Sequence, residues 1–79
     1  NEAFSCVPMV AINKLKISRD KVNINGGAVS MGHPIGASGT RILVTLLNAL
    51  KMKQLKYGIA SICIGGGEAS AMIIENYDL

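Results

Sequence analysis

Ile59-Ala60-Ser61-Ile62-Cys63-Ile64-Gly65-Gly66-Gly67-Glu68-Ala69-Ser70-Ala71-Met72-Ile73-Ile74-Glu75 is the stretch whose reading sets the fold. Ile59–Ile64 is an apolar run of strand length, and Ser70–Glu75 is a second one. Gly65-Gly66-Gly67-Glu68 between them is a turn, so the pair predicts an antiparallel hairpin. Upstream, Ile42, Leu43, Leu46, Leu47 and Leu50 recur at helical spacing. They predict a helix over 38–53, with Ser38 as N-cap and Tyr57-Gly58 as the break. Residues 25–39 hold Gly26, Gly27, Gly32, Gly36 and Gly39, read as neither helix nor strand, and lead into that helix. Val22–Ile24 reads as a short extended piece after a polar turn at residues 18–21. A first helix is expected over 5–17, where Pro8 fits only in the first turn. The predicted class is α/β, in the order helix, short strand, helix, strand, strand, with residues 1–79 as one partial domain.

Composition narrows the function classes. The chain has 79 residues, 49% hydrophobic and 16% charged, with three aromatics and no Trp. That is too apolar for a disordered tail, and too apolar for a lone small domain with much surface and little interior. It begins at Asn1, and we expect a piece of something larger, with faces meant to be covered. No run reaches the 18 or more apolar residues of a membrane span. The net charge of +3 comes from scattered lysines without a basic stripe or interleaved aromatics, which argues against nucleic acid. Cys6 and Cys63 form no CxxC and no zinc pattern.

Four places could carry chemistry. His33, in Gly32-His33-Pro34, is pushed into extended backbone by the proline and flanked by glycine, so a ligand could come close. It is either a presented acid, base or donor, or an ordinary loop histidine. Cys63 precedes three glycines, whose N–H groups could form an oxyanion hole or anion nest. The competing reading is a buried small hydrophobe before a turn. Asn1-Glu2 is either an amide that holds a water or an imidazole, or a polar pair at a helix start. Cys6, among Val and Met, reads as core. The Gly32–Gly39 loop is a poor phosphate loop, with neither GxGxxG nor a terminal Gly-Lys-Ser/Thr.

Together, Asn1-Glu2-Ala3-Phe4, Asn25-Gly26-Gly27-Ala28, Gly32-His33-Pro34-Ile35-Gly36-Ala37-Ser38-Gly39-Thr40-Arg41 and Cys63-Ile64-Gly65-Gly66-Gly67 resemble the C-terminal signatures of the thiolases. The resemblance covers the whole chain and is nearest to acetoacetyl-CoA thiolases, including the mitochondrial type. It implies a layered α/β sandwich and an acyltransferase that condenses two acetyl-CoA or cleaves the product with CoA. His33 matches the histidine that activates the nucleophilic cysteine and donates to a thioester oxygen. Cys63 matches the acid/base that takes or returns the α-proton. Asn1 matches the asparagine that holds a water beside the histidine, and the Gly65 N–H matches a donor of a second oxyanion hole. Phe4 matches a residue near the acyl pocket.

The resemblance further implies no covalent cofactor, a CoA thioester substrate and a homo-oligomer. In the mitochondrial type it implies a potassium ion that takes the carbonyl matching Val29. The nucleophilic cysteine and the N-terminal domain are not among these residues, so the 79-residue chain alone is expected to be inactive. Ile64 and Glu68 depart from the mitochondrial pattern. Two other readings are a dimerisation or interaction fragment, favoured by the aliphatic faces, and a ketoacyl synthase of the same fold. The latter usually carries two histidines, and only His33 is present.

Overall fold

A computed structural model describes residues 1–78. Its elements are α1 (Cys6–Leu15), a 3-10 turn (Arg19–Lys21), α2 (Ala28–Met31), α3 (Ser38–Lys53), β1 (Tyr57–Gly65) and β2 (Glu68–Glu75). Pro8 lies in the first turn of α1, where its missing N–H has no helical partner to lose. The polar turn forms as expected, with the Ser18 hydroxyl accepting from the Asp20 N–H.

The expected short strand is absent: Val22–Ile24 yields only an isolated bridge between Ile24 and Gly26. Positive φ at Asn23 and Gly26 bends the backbone away from an extended line. The glycine-rich run, read as neither helix nor strand, holds the single turn of α2.

α3 has the bounds that its leucine periodicity predicts. Its start and finish are made differently from expectation. Ser38 is the first helical residue rather than the cap, and Gln54, at positive φ, ends the helix before Tyr57-Gly58 is reached. Gly58 belongs to β1, and a Cβ there would lie 2.7 Å from a Leu46 methyl carbon. It is a contact point between α3 and the sheet, not a helix breaker.

β1 and β2 pair antiparallel, with Ile59 opposite Ile73 and Cys63 opposite Ala69. Gly66 and Gly67 form the two-residue turn, both at positive φ as such tight hairpins require. Between Cys63 and Gly65 the register slips, leaving Ile64 as the extra residue of a bulge. Bulges of this kind re-aim neighbouring side chains. The inner face of β1 (Gly58, Ala60, Ile62) lies toward α3 and its outer face is open.

Among the described residues Leu50 is the one buried hydrophobe, while Ile59 and Ile73 are 68% and 70% exposed on the outer face. Cys6, expected in a core, is exposed, and among the described residues none of α1 is buried. The chain presents 6052 Å² of surface, whereas a self-contained folded chain of 8.3 kDa presents about 4,600 Å². Asn76, 5% exposed, ties the foot of the hairpin to the end of α3. Its N–H donates to the Lys56 carbonyl at 2.6 Å and its side-chain amide to the Leu55 carbonyl at 3.3 Å.

Candidate active site

His33 stands at the start of the loop into α3, and Cys63 stands at the bulged end of β1. Both line one open cleft of about 310 Å³, walled by Ile35, Gly39, Ile62 and Ile64. Residues 30 positions apart meet because α3 packs on the inner face of β1. The bulged Ile64 forms part of the cleft wall.

The imidazole is anchored from one side. His33 Nδ1 lies 2.6 Å from Ser38 Oγ, and that hydroxyl donates to the Pro34 carbonyl at 3.1 Å. A hydroxyl has one proton. In the tautomer that keeps the bond to Pro34, Nδ1 carries the hydrogen and donates to Oγ, which leaves Nε2 as the basic nitrogen. The Asn1 side-chain nitrogen is 3.4 Å from Nδ1. A protonated Nδ1 favours the amide turned with its oxygen toward the ring. The hydroxyl expected to cap α3 therefore fixes the histidine instead.

Ser38 is 2% exposed, so its removal takes a buried hydroxyl away from both the ring nitrogen and the Pro34 carbonyl. In the full-length protein Ser38→Ala is expected to cost about 1–3 kcal/mol of stability, read from denaturant melts. An unchanged midpoint would contradict the anchoring role.

On the other side, the Gly65 N–H donates to Cys63 Sγ at 3.3 Å. The glycine turn thus contributes a donor at the thiol, and the bulge is what brings it there. The Asn1 backbone nitrogen donates to the Ser61 carbonyl at 2.6 Å, joining the asparagine to the strand that carries Cys63. Asn1-Glu2 is therefore not a polar pair at the start of α1: both residues reach toward the loop of His33.

Asn1, His33, Cys63 and Gly65 come together in this way. Phe4 is 72% exposed and is not among the cleft-lining residues. Val29 is also outside the cleft, with its carbonyl in α2, near the C-terminal end where helix carbonyls lose their partners. Among the described residues no three His, Cys, Asp or Glu side chains gather to hold a metal. Sequence reasoning missed Ser38 as a partner of His33. The one available signal was a hydroxyl five residues after the histidine.

The family described as "Thiolase, C-terminal domain" matches residues 1–76. The chain is 63% identical over 75 residues to "Acetyl-CoA acetyltransferase, mitochondrial" of Bos taurus, covering 95% of this chain and 17% of that protein. It is 55% identical over 75 residues to "Acetyl-CoA acetyltransferase 2" of Arabidopsis thaliana, covering 95% and 19%. A solved structure, the acetyl-CoA acetyltransferase of Bacillus anthracis, superposes with a TM-score of 0.89 at 48% identity, again over 95% and 19%. The chain thus spans under a fifth of the length of these relatives.

Proposed function

From the membership of this chain in the thiolase family, in its C-terminal domain, we propose that it supplies one half of the active site of an acetyl-CoA acetyltransferase. The other half, with the nucleophilic cysteine, lies in an N-terminal thiolase domain of the full-length protein. The observation that carries this reading is the shared cleft of His33 and Cys63.

The chemistry follows from the atoms. In acyl transfer, His33 Nε2 takes the proton of the nucleophilic thiol as it attacks the first acetyl thioester. The resulting imidazolium donates to the thioester oxygen beside a water that Asn1 steadies, and then gives its proton to the CoA sulfur as the C–S bond to CoA breaks. In condensation, Cys63 Sγ removes an α-proton from the second acetyl-CoA. The C–H electron pair becomes an enolate, whose oxygen competes with Sγ for the Gly65 N–H. The enolate carbon then forms the new C–C bond at the acyl-enzyme carbonyl as the bond to the nucleophilic sulfur breaks, and the proton held on Cys63 passes to that sulfur. Fixed donors at such an oxygen are each worth about 2.7–4 kcal/mol.

Phe4 belongs to the acyl pocket in this reading. A potassium ion would take the Val29 carbonyl, but one carbonyl is less than the oxygen shell such a cation needs, and no step passes through it. The exposed faces of α1 and the hairpin fit burial under the rest of the protein and in a homo-oligomer. A mitochondrial location is supported by the name of the Bos taurus relative.

The test assays the full-length protein for CoA-dependent cleavage of acetoacetyl-CoA and for its formation from acetyl-CoA. Activity in the full-length protein and none in the 79-residue chain is expected. An inactive full-length protein, or an active short chain, overturns the proposal.

A further inference from the structure

We propose that Glu2 is a positioning residue, whose carboxylate staples the segment carrying Asn1 to the turn that leads into His33. The inference rests on the thiolase reading of the site.

Glu2 Oε1 accepts from the Val29 N–H at 3.1 Å. α2 has no acidic residue in its own first turn, and its N-cap is Gly27, which has no side chain to offer. Glu2 therefore supplies from a distant segment the acceptor that the first turn lacks. Gly27 itself is extended, at φ −145° and ψ −163°, a conformation open to any residue. Its glycine is explained by space: a Cβ would lie 2.9 Å from Glu2 Oε1 and 3.1 Å from Glu2 Cβ. Glycine is there to admit the carboxylate.

Two further contacts give the staple its functional sense. Asn1, adjacent to Glu2, is held to β1 by its backbone nitrogen at 2.6 Å from the Ser61 carbonyl, and its amide lies 3.4 Å from His33 Nδ1. His33 follows the end of α2 by two residues. Glu2 thus sits where the strand of Cys63, the amide of Asn1 and the loop of His33 are brought into one register. Without the carboxylate, residues 27–33 lose a fixed point on the Asn1 side, and the amide-to-imidazole distance is no longer set.

The test compares Glu2→Ala, Glu2→Gln and Gly27→Ala in the full-length protein. Glu2→Ala is expected to lower kcat by about 10- to 100-fold, because small misplacements near reacting atoms carry penalties of that order. KM for acetyl-CoA should stay within about twofold, since substrate binding is not the function removed. Glu2→Gln keeps an acceptor oxygen and should restore most of kcat. Gly27→Ala should reproduce the Glu2→Ala pattern, and it carries the test if Glu2→Ala does not fold. The imidazole ¹⁵N signals of His33, assigned with a His33→Gln control, should shift in Glu2→Ala and Gly27→Ala.

Unchanged kcat in Glu2→Ala overturns the proposal. So does an equal loss in Glu2→Gln and Glu2→Ala accompanied by loss of the melting transition, since Glu2 would then serve the fold alone. If the unmodified protein lacks thiolase activity, the thiolase reading fails. The ¹⁵N signals then judge the staple separately, and unshifted signals overturn it.

Discussion

Cys63→Ser in the full-length protein is expected to lower condensation by about 10²- to 10⁴-fold, the usual contribution of a positioned acid/base. Serine is close in shape, and its oxygen can still accept from the Gly65 N–H that now meets Sγ at 3.3 Å. What is lost is acidity. A thiol is a much stronger acid than an alcohol, as suits a group that must both take and return a proton. An alkanol is a far weaker acid and does not make that exchange at neutral pH. The loss should be confined to one half of the reaction. Acyl-enzyme formation from acetyl-CoA uses the other cysteine and should proceed, as followed by mass of the intact protein. The acylated protein should then fail to turn over with a second acetyl-CoA. Condensation within about twofold of the unmodified protein would remove Cys63 from the acid/base role.

His33→Gln is expected to act on both halves. Glutamine can keep a polar contact toward Ser38, but it has no nitrogen that takes a proton at neutral pH. Acylation should then slow by about 10²- to 10⁴-fold, and condensation should slow with it, because the donor at the thioester oxygen goes too. Rapid-quench measurement of the acyl-enzyme separates this pattern from that of Cys63→Ser. The melting temperature should fall only slightly, since the ring is exposed on its cleft side and only Ser38 loses a close partner. Normal acylation in His33→Gln would contradict the role given to Nε2.

Local pattern made much of the fold readable in the sequence. The stripe from Ile42 to Leu50 fixed α3 because a helix face needs only its own periodicity and one covering layer. The hairpin was readable because a run of glycines between two apolar segments has few other uses. The misses share a cause: each depends on a contact that the local sequence pattern does not carry. Gly58 looked like punctuation until Leu46 was found against it. Ser38 looked like a cap because caps are local, whereas its actual partner is set by how His33-Pro34 folds back. Val22–Ile24 had strand composition but no neighbouring strand to complete it.

At the site, His33 and Cys63 were legible as chemically able residues with glycine around them. Their shared cleft was not, since it follows from α3 packing on β1. Glu2 was the least legible of all, because its partner is a backbone N–H, and those carry no mark in the sequence. Phe4 and Val29 rest on the family resemblance.

The hairpin turn constrains chemistry of another kind. Gly65, Gly66 and Gly67 all lie at positive φ, and a side-chain carbon added at any of them would touch nothing within 4 Å among the described residues. What the turn excludes is handedness, not bulk. An L-residue there is opposed by its own backbone, by about 1–2 kcal/mol per position, however much empty room surrounds it. A D-alanine meets no such opposition. The segment beside Cys63 is therefore a place where a mirror-image residue, placed by chemical ligation, could carry a probe to the edge of the cleft without altering the path of the chain.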